Sequence, residues 1–168
     1  MFDRLVMGVD PGTAATGLAV VAGGQGGAAG VVSATTVRTS AGLAEAERLL
    51  ELHGEVAAAL REHKPQAVAV ERLMWGRNVG SAMSVARATG VVLLAAAQAG
   101  VSVHEYAPLE VKLAVAGDGS AAKVDVRRAL ERIHGVADVP RAADAADAVA
   151  VAVCHLHQAR ALRWVAVP

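Results

Sequence analysis

The sequence predicts an α/β fold: a mixed five-stranded sheet, three strands antiparallel and two parallel, flanked by helices in a single domain spanning 1–168. Three observations carry this. Three short β-type runs open the chain with no helical spacing between them, the pattern of an antiparallel meander. Two later apolar runs each follow a helix-length segment, and a strand reached through a helix crosses over to lie parallel in the sheet. The core has to be built from small side chains, because the 168 residues include 39 alanines and only four aromatics, Phe2, Trp75, Tyr106 and Trp164.

The strands of the meander are Leu5–Val9, Thr16–Ala22 and Gly30–Thr39, with the glycine-rich stretch Ala22–Gly30 as a hairpin connection. Ala41–His63 then carries Leu43, Ala46, Leu50, Ala57 and Leu60 at helical spacing, and Pro65 stops it. Gln66–Val70 reads as a buried strand ending in Glu71, and Arg72–Arg77 as a loop leading into a helix over Asn78–Ala99. Val101–Tyr106 is the fifth strand, and Pro108 opens a short helix in its first turn. Ser120 is the expected cap of a helix running to about His134, and a final helix covers Arg141–Arg163. A ribonuclease-H-like layered domain has this order, and so do other mixed folds.

Several classes are excluded. The apolar runs Val91–Ala97 and Ala148–Cys154 are far too short to span a membrane, and the amino terminus has no signal-peptide pattern. One cysteine makes neither a disulfide framework nor a thiolate zinc site. A soluble, cytoplasmic protein is expected. The balance of 16 basic against 16 acidic residues argues, taken alone, against a nucleic-acid binder.

Four carboxylates stand where carboxylates are costly. Asp10 ends the first strand in GVDPGT, and Glu71 directly follows the apolar Ala67–Val70. Asp144 and Asp147 sit among alanines and valines, three residues apart and so on one helix face. Three have a plainer explanation, Asp10 as a turn residue and the helix pair as acids favoured by the helix dipole, whereas Glu71 at the end of an apolar strand has less of one. Taken together they suit hard divalent cations, since neither Cys nor clustered His accompanies them. Four such groups could hold two Mg²⁺ or Mn²⁺ ions, the arrangement used to hydrolyse phosphodiesters, with one ion activating water and the other stabilising the leaving 3′ oxygen.

The blocks GVDPGTAATGLAVV, AVERLMWGRN, LEVKLAVAGDGSAAK and AADAADAVAVAVCHLH resemble, in the same order, those of RuvC-type Holliday-junction resolvases. The resemblance covers about Arg4 to His157. It implies a ribonuclease-H-like fold and a homodimer that makes paired, Mg²⁺-dependent nicks in a four-way DNA junction, with 5′-phosphate and 3′-hydroxyl products. A branch-migration motor is an implied partner. By motif, Asp10, Glu71, Asp144 and Asp147 match the family's catalytic acids, with the first helix position, Asp144, the one whose residue type varies. Lys112 and Lys123 match basic positions near the scissile phosphate; the alternative for both is a solvated helix surface. Arg77 and Asn78 match a basic-Asn pair at the start of the second helix. The chain departs from the family where an aromatic commonly follows the glutamate by three places: here stands Met74, with Trp75 next to it. Methionine can wedge between base steps and Trp75 can stack, or Trp75 can serve as a dimer or core anchor.

Other features are weaker. Cys154, His155 and His157 read as packed or surface helix residues, and Gly23–Gly30 lacks the Lys-Ser/Thr of a phosphate loop. Ala82, Met83, Ala86 and Gly90 are spaced to pack against a helix, whether a partner's or their own sheet cover. Three other classes share part of this pattern: a ribonuclease-H-like RNA-processing nuclease, a sugar-kinase or actin-type ATPase, and a catalytically silent junction-binding module. The first would not carry LEVK and SAAK at these spacings, the second needs another domain, and the third would not keep four carboxylates. Setting the four acids aside leaves 16 basic against 12 acidic residues, so the neutral total no longer excludes DNA.

Overall fold

The strand β1, Arg4–Asp10, lies at the centre of a five-stranded sheet and carries one of the four acids at its end. The computed structural model describes residues 4–73 and 79–165, without the side chains of 79, 81 and 160–165. β1 pairs antiparallel with β2, Ala15–Gly23, which pairs antiparallel with β3, Ala29–Arg38. On its other side β1 is parallel to β4, Ala67–Glu71, which is parallel to β5, Ser102–Tyr106. The order β3-β2-β1-β4-β5 is the expected mixed sheet. The glycine-rich connection shrinks to a single 3-10 turn, Gln25–Gly27, because β2 and β3 extend into its ends.

Alternation along the strands divides the core in two. Met7, Val9, Val68 and Val70 face a layer containing α1, Glu45–His63, and α2, Val79–Gln98. Val6, Ala19 and Ala69 face the other layer, built from α3, Pro108–Ala116, α4, Lys123–Arg132, and α5, Ala143–Val165. On α1 the expected face is corrected. Leu52, Val56 and Leu60 are buried, whereas Leu50 and Ala46 point outward, because the 4-residue ladder from Leu52 fills the groove over the sheet. The α1 start also moves, to Glu45, since Ala44 has the extended backbone of a cap.

Ser120 does not cap α4. Its amide and hydroxyl both donate to Asp118 Oδ1 at 2.8 Å, and the cap is Ala122, whose amide donates to Asp125 Oδ2 at 3.3 Å. The same device starts α1, where the Ala44 amide donates to Glu47 at 3.0 Å, and α3, where the Ala107 amide donates to Glu110 at 2.7 Å. An alanine cap lacks a side-chain acceptor, so the acid three residues on satisfies one amide and complements the helix dipole.

The alanine-rich composition has its reason in α5. This helix lies with its backbone almost on the sheet. A Cβ on Gly17 would come within 1.9 Å of the Asp144 carbonyl oxygen, and one on Gly8 within 2.0 Å of that of Ala148. Only glycine fits at both, and only small helix residues such as Ala145, Ala148 and Ala152 bury against them. Close approach is what carries Asp144 and Asp147 to the strand ends. Gly17→Ala should therefore lift α5 and cost about 1–3 kcal/mol, as overpacked cores do. Denaturant titration checks this; an unchanged midpoint would contradict the close contact.

Candidate active site

The turn after β1 is rigid for local reasons. The Thr16 hydroxyl donates to the Gly12 carbonyl at 2.6 Å, and the Gly12 amide donates to Thr16 Oγ1 at 3.2 Å. Thr13 is buried and donates to the Ser84 carbonyl on α2 at 2.8 Å, while the Ser84 hydroxyl donates back at 2.5 Å. Asp10 is thus held at the carboxyl end of the central strand by a turn bolted to α2. Glu71 arrives beside it because β4 runs parallel to β1, with Val9 and Val70 in register. α5 crosses above and supplies Asp147.

These elements enclose a cavity of about 310 Å³ lined by Asp10, Glu71, Asp147, Lys112, Lys123 and apolar side chains including Pro108, Val111 and Val151. Five of the ten residues singled out from the sequence therefore share one pocket. Asp144 is not among its lining residues; its carboxylate stands 4.0 Å from the Arg38 guanidinium. Met74, Trp75, Arg77 and Asn78 lie outside the described residues.

Burial and mutual repulsion dominate the electrostatics. Burial, then the charge of Glu71, then that of Asp147, push Asp10 up to about 8. Glu71 is also raised by burial, with the hydrogen bond from Asp10 and the charges of Lys123 and Lys112 working the other way. Two carboxyls that share a proton are a pair from which one counter-charge is missing. Lys123 partly supplies it: its Nζ donates to Asp147 Oδ2 at 2.5 Å. As the side chains stand, no three acids or histidines among the described residues converge on one point. The donor set nonetheless fits hard cations, being all carboxylate oxygen with two of the acids repelling each other.

Sequence reasoning missed three contributors. Glu110 both caps α3 and binds Arg72 at 3.0 Å, so the residue after Glu71 is pinned to the helix that carries Lys112. Its acid-at-third-position pattern was legible. Arg38 ends an edge strand, and nothing in the local sequence points to Asp144. The third is the pair behind the site: the Tyr106 hydroxyl and His155 Nδ1 share a hydrogen bond of 2.7 Å. Burial, then His104 and Arg4, hold His155 down at about 4, and burial, then Cys154 and Glu110, push Tyr106 up to about 12.

That histidine predicts a pH effect. Its folded value lies below the ordinary 6.5, so the unfolded chain binds the extra proton. The stabilising contribution is complete above pH 6.5 and is lost as pH falls towards 4. The loss amounts to about 3 kcal/mol at the end of that window. Urea titrations of the wild type and His155→Gln at pH 7 and 4.5 check this; equal pH slopes would contradict it.

Residues 6–155 match the family model of crossover junction endodeoxyribonuclease RuvC. The chain belongs to the RuvC family. It is 45% identical over 153 residues to RuvC of Pelotomaculum thermopropionicum, covering 91% of this chain and 93% of that one. It is 45% identical over 157 residues to RuvC of Chloroflexus aggregans, covering 94% and 95%. Thermus thermophilus RuvC in complex with a Holliday junction substrate superposes with a TM-score of 0.89 at 39% identity, covering 94% of this chain and 96% of that one. The yeast mitochondrial Holliday junction resolvase shares the fold alone, with a TM-score of 0.71 at 11% identity over 95% of this chain and 80% of that one. The ribonuclease-H-like fold expected from the sequence is the RuvC fold observed. No described helix is long and apolar enough to cross a membrane.

Proposed function

We propose that this RuvC-family chain is a structure-selective DNA endonuclease that resolves four-way (Holliday) junctions by paired, symmetric nicks in homologous recombination and DNA repair. The observation that carries the reading is its likeness to the junction-bound Thermus thermophilus RuvC, 39% identical over 94% of the chain. Asp10, Glu71, Asp144 and Asp147 would hold two Mg²⁺ ions, with Mn²⁺ as a substitute. When bound, those ions supply Lewis acidity to the attacking water and the leaving 3′ oxygen.

The protein's own part is charge and position. Lys112 and Lys123 bind the phosphate, and Asp10 and Glu71 are kept together by the parallel register of β1 and β4. Water attacks in line and the 3′ oxygen departs, giving 5′-phosphate and 3′-hydroxyl ends. The segment with Met74, Trp75, Arg77 and Asn78 contacts unpaired bases and backbone at the branch point. Symmetric nicking needs two sites, hence a homodimer. Exposed apolar residues on the helical layer, Leu50 on α1 and Met83 and Leu94 on α2, support that surface. The enzyme would act in the cytoplasm alongside a branch-migration motor.

The test is cleavage of a mobile four-way junction against linear duplex in Mg²⁺ or Mn²⁺. The expected result is nicking of the junction in two opposing strands, with little cutting of the duplex. Equal cutting of both substrates sinks the reading.

A further inference from the structure

We infer that Arg38 is a phosphate-binding residue that grips the cut strand on the flank of the pocket opposite Lys112 and Lys123. The inference rests on the junction-cleaving reading and adds a contact to it. Topology sets the geometry. α3, which carries Lys112, follows β5 at one edge of the sheet, whereas Arg38 ends β3 at the other. Asp144 lies between, because the start of α5 rests on β2 at Gly17.

Arg38 stands on a fixed backbone. It pairs with Ala15 across the sheet, and Thr39 is tied to the turn that holds Asp10. The Thr39 amide donates to the Ala14 carbonyl at 3.3 Å and its hydroxyl to the Thr13 carbonyl at 2.6 Å, while Arg48 Nε donates to Thr39 Oγ1 at 2.9 Å. From this anchored strand end the side chain reaches outward, 70% exposed, to a carboxylate at the loose distance of 4.0 Å. So exposed a pair contributes little to stability. A DNA phosphate offers the guanidinium a bidentate partner in place of one distant oxygen. An acidic pocket repels the strand that has to enter it. With basic groups on one flank alone the strand would be held on one side; Arg38 supplies the second.

Junction binding by fluorescence anisotropy tests this, in an Asp10→Asn background that leaves the DNA uncut. Arg38→Ala is expected to weaken binding roughly 10-fold at about 0.1 M salt and to reduce the slope of log affinity against log salt by about 0.9. Arg38→Lys should keep the slope and lose part of the affinity. If Arg38 merely neutralised Asp144, adding Asp144→Asn would restore binding; a phosphate contact predicts that the loss persists. Affinity within twofold with an unchanged slope, or full rescue by Asp144→Asn, overturns the inference. The same slopes measured on linear duplex separate the two readings: a parent without junction preference refutes the junction reading, while the Arg38 slope change on duplex still supports the contact.

Discussion

Asp10→Asn is expected to reduce junction cleavage about 10³-fold or more while making the ion-free protein more stable. The first effect follows from removing a charged oxygen ligand from the proposed cation pair, since losing a Lewis-acid contact of about 4 kcal/mol is a thousandfold in rate. The second follows from the pocket. Asp10 is pushed up to about 8 by burial and by Glu71 and Asp147, so the folded chain holds a proton that the unfolded chain releases. The contribution of this group is therefore complete below pH 3.8 and is lost as pH rises through 8. Asparagine is neutral throughout and escapes that loss. At pH 8 without divalent ions, Asp10→Asn should unfold at higher denaturant, by about 1–2 kcal/mol. Saturating Mg²⁺ should reverse the ranking, because an ion held only by the folded wild type adds about 2.7 kcal/mol at 100 times its dissociation constant. Urea midpoints with and without Mg²⁺ give both signs. A variant less stable than wild type in the absence of ions would refute the account of a frustrated acidic pair.

How much of this was legible beforehand differs by residue. Asp10, Glu71 and Asp147 could be read because each is a carboxylate at the end of, or inside, an apolar run, a cost that sequence displays directly. The parallel direction of β4 and β5 followed from the crossovers that helices between strands enforce, and the close α5 contact was foreshadowed by alanine content. Asp144 shows the limit. Helical spacing put it on the same face as Asp147, yet its carboxylate turns to Arg38, a partner set by the long-range pairing of β3 with β2. Ser120 misled for a related reason. Its hydroxyl suits a cap, but Asp118 captures it locally, and the cap falls two residues later on an acid-assisted alanine. On α1, Leu50 fitted the helical period as well as Leu52 does, and only the sheet decides which is covered.

Lys123→Met should separate two functions that the wild type joins, lowering cleavage about 100-fold while tightening divalent-ion binding. The ammonium now sits 2.5 Å from Asp147 Oδ2, and its own proton is held more firmly for that reason first of all. It is therefore a competitor for the carboxylate that a cation is proposed to use. Removing it frees Asp147 and deletes one positive charge felt by Glu71 and Asp10. Both changes favour a cation. Stability without ions should barely move, since the lysine side chain is 75% exposed and an exposed pair contributes about 0–1 kcal/mol. Cleavage is expected to fall because, in the proposed mechanism, the same ammonium would be the group that meets the scissile phosphate once a cation takes Asp147. Lys112→Met is the comparison that isolates the contact. Lys112 lines the same pocket but is not hydrogen-bonded to Asp147, so its removal should raise ion affinity less. Calorimetric Mn²⁺ titrations and single-turnover cleavage of the two variants measure both quantities. Equal ion affinities in Lys123→Met and Lys112→Met would mean that charge alone, and not occupancy of Asp147, governs the site.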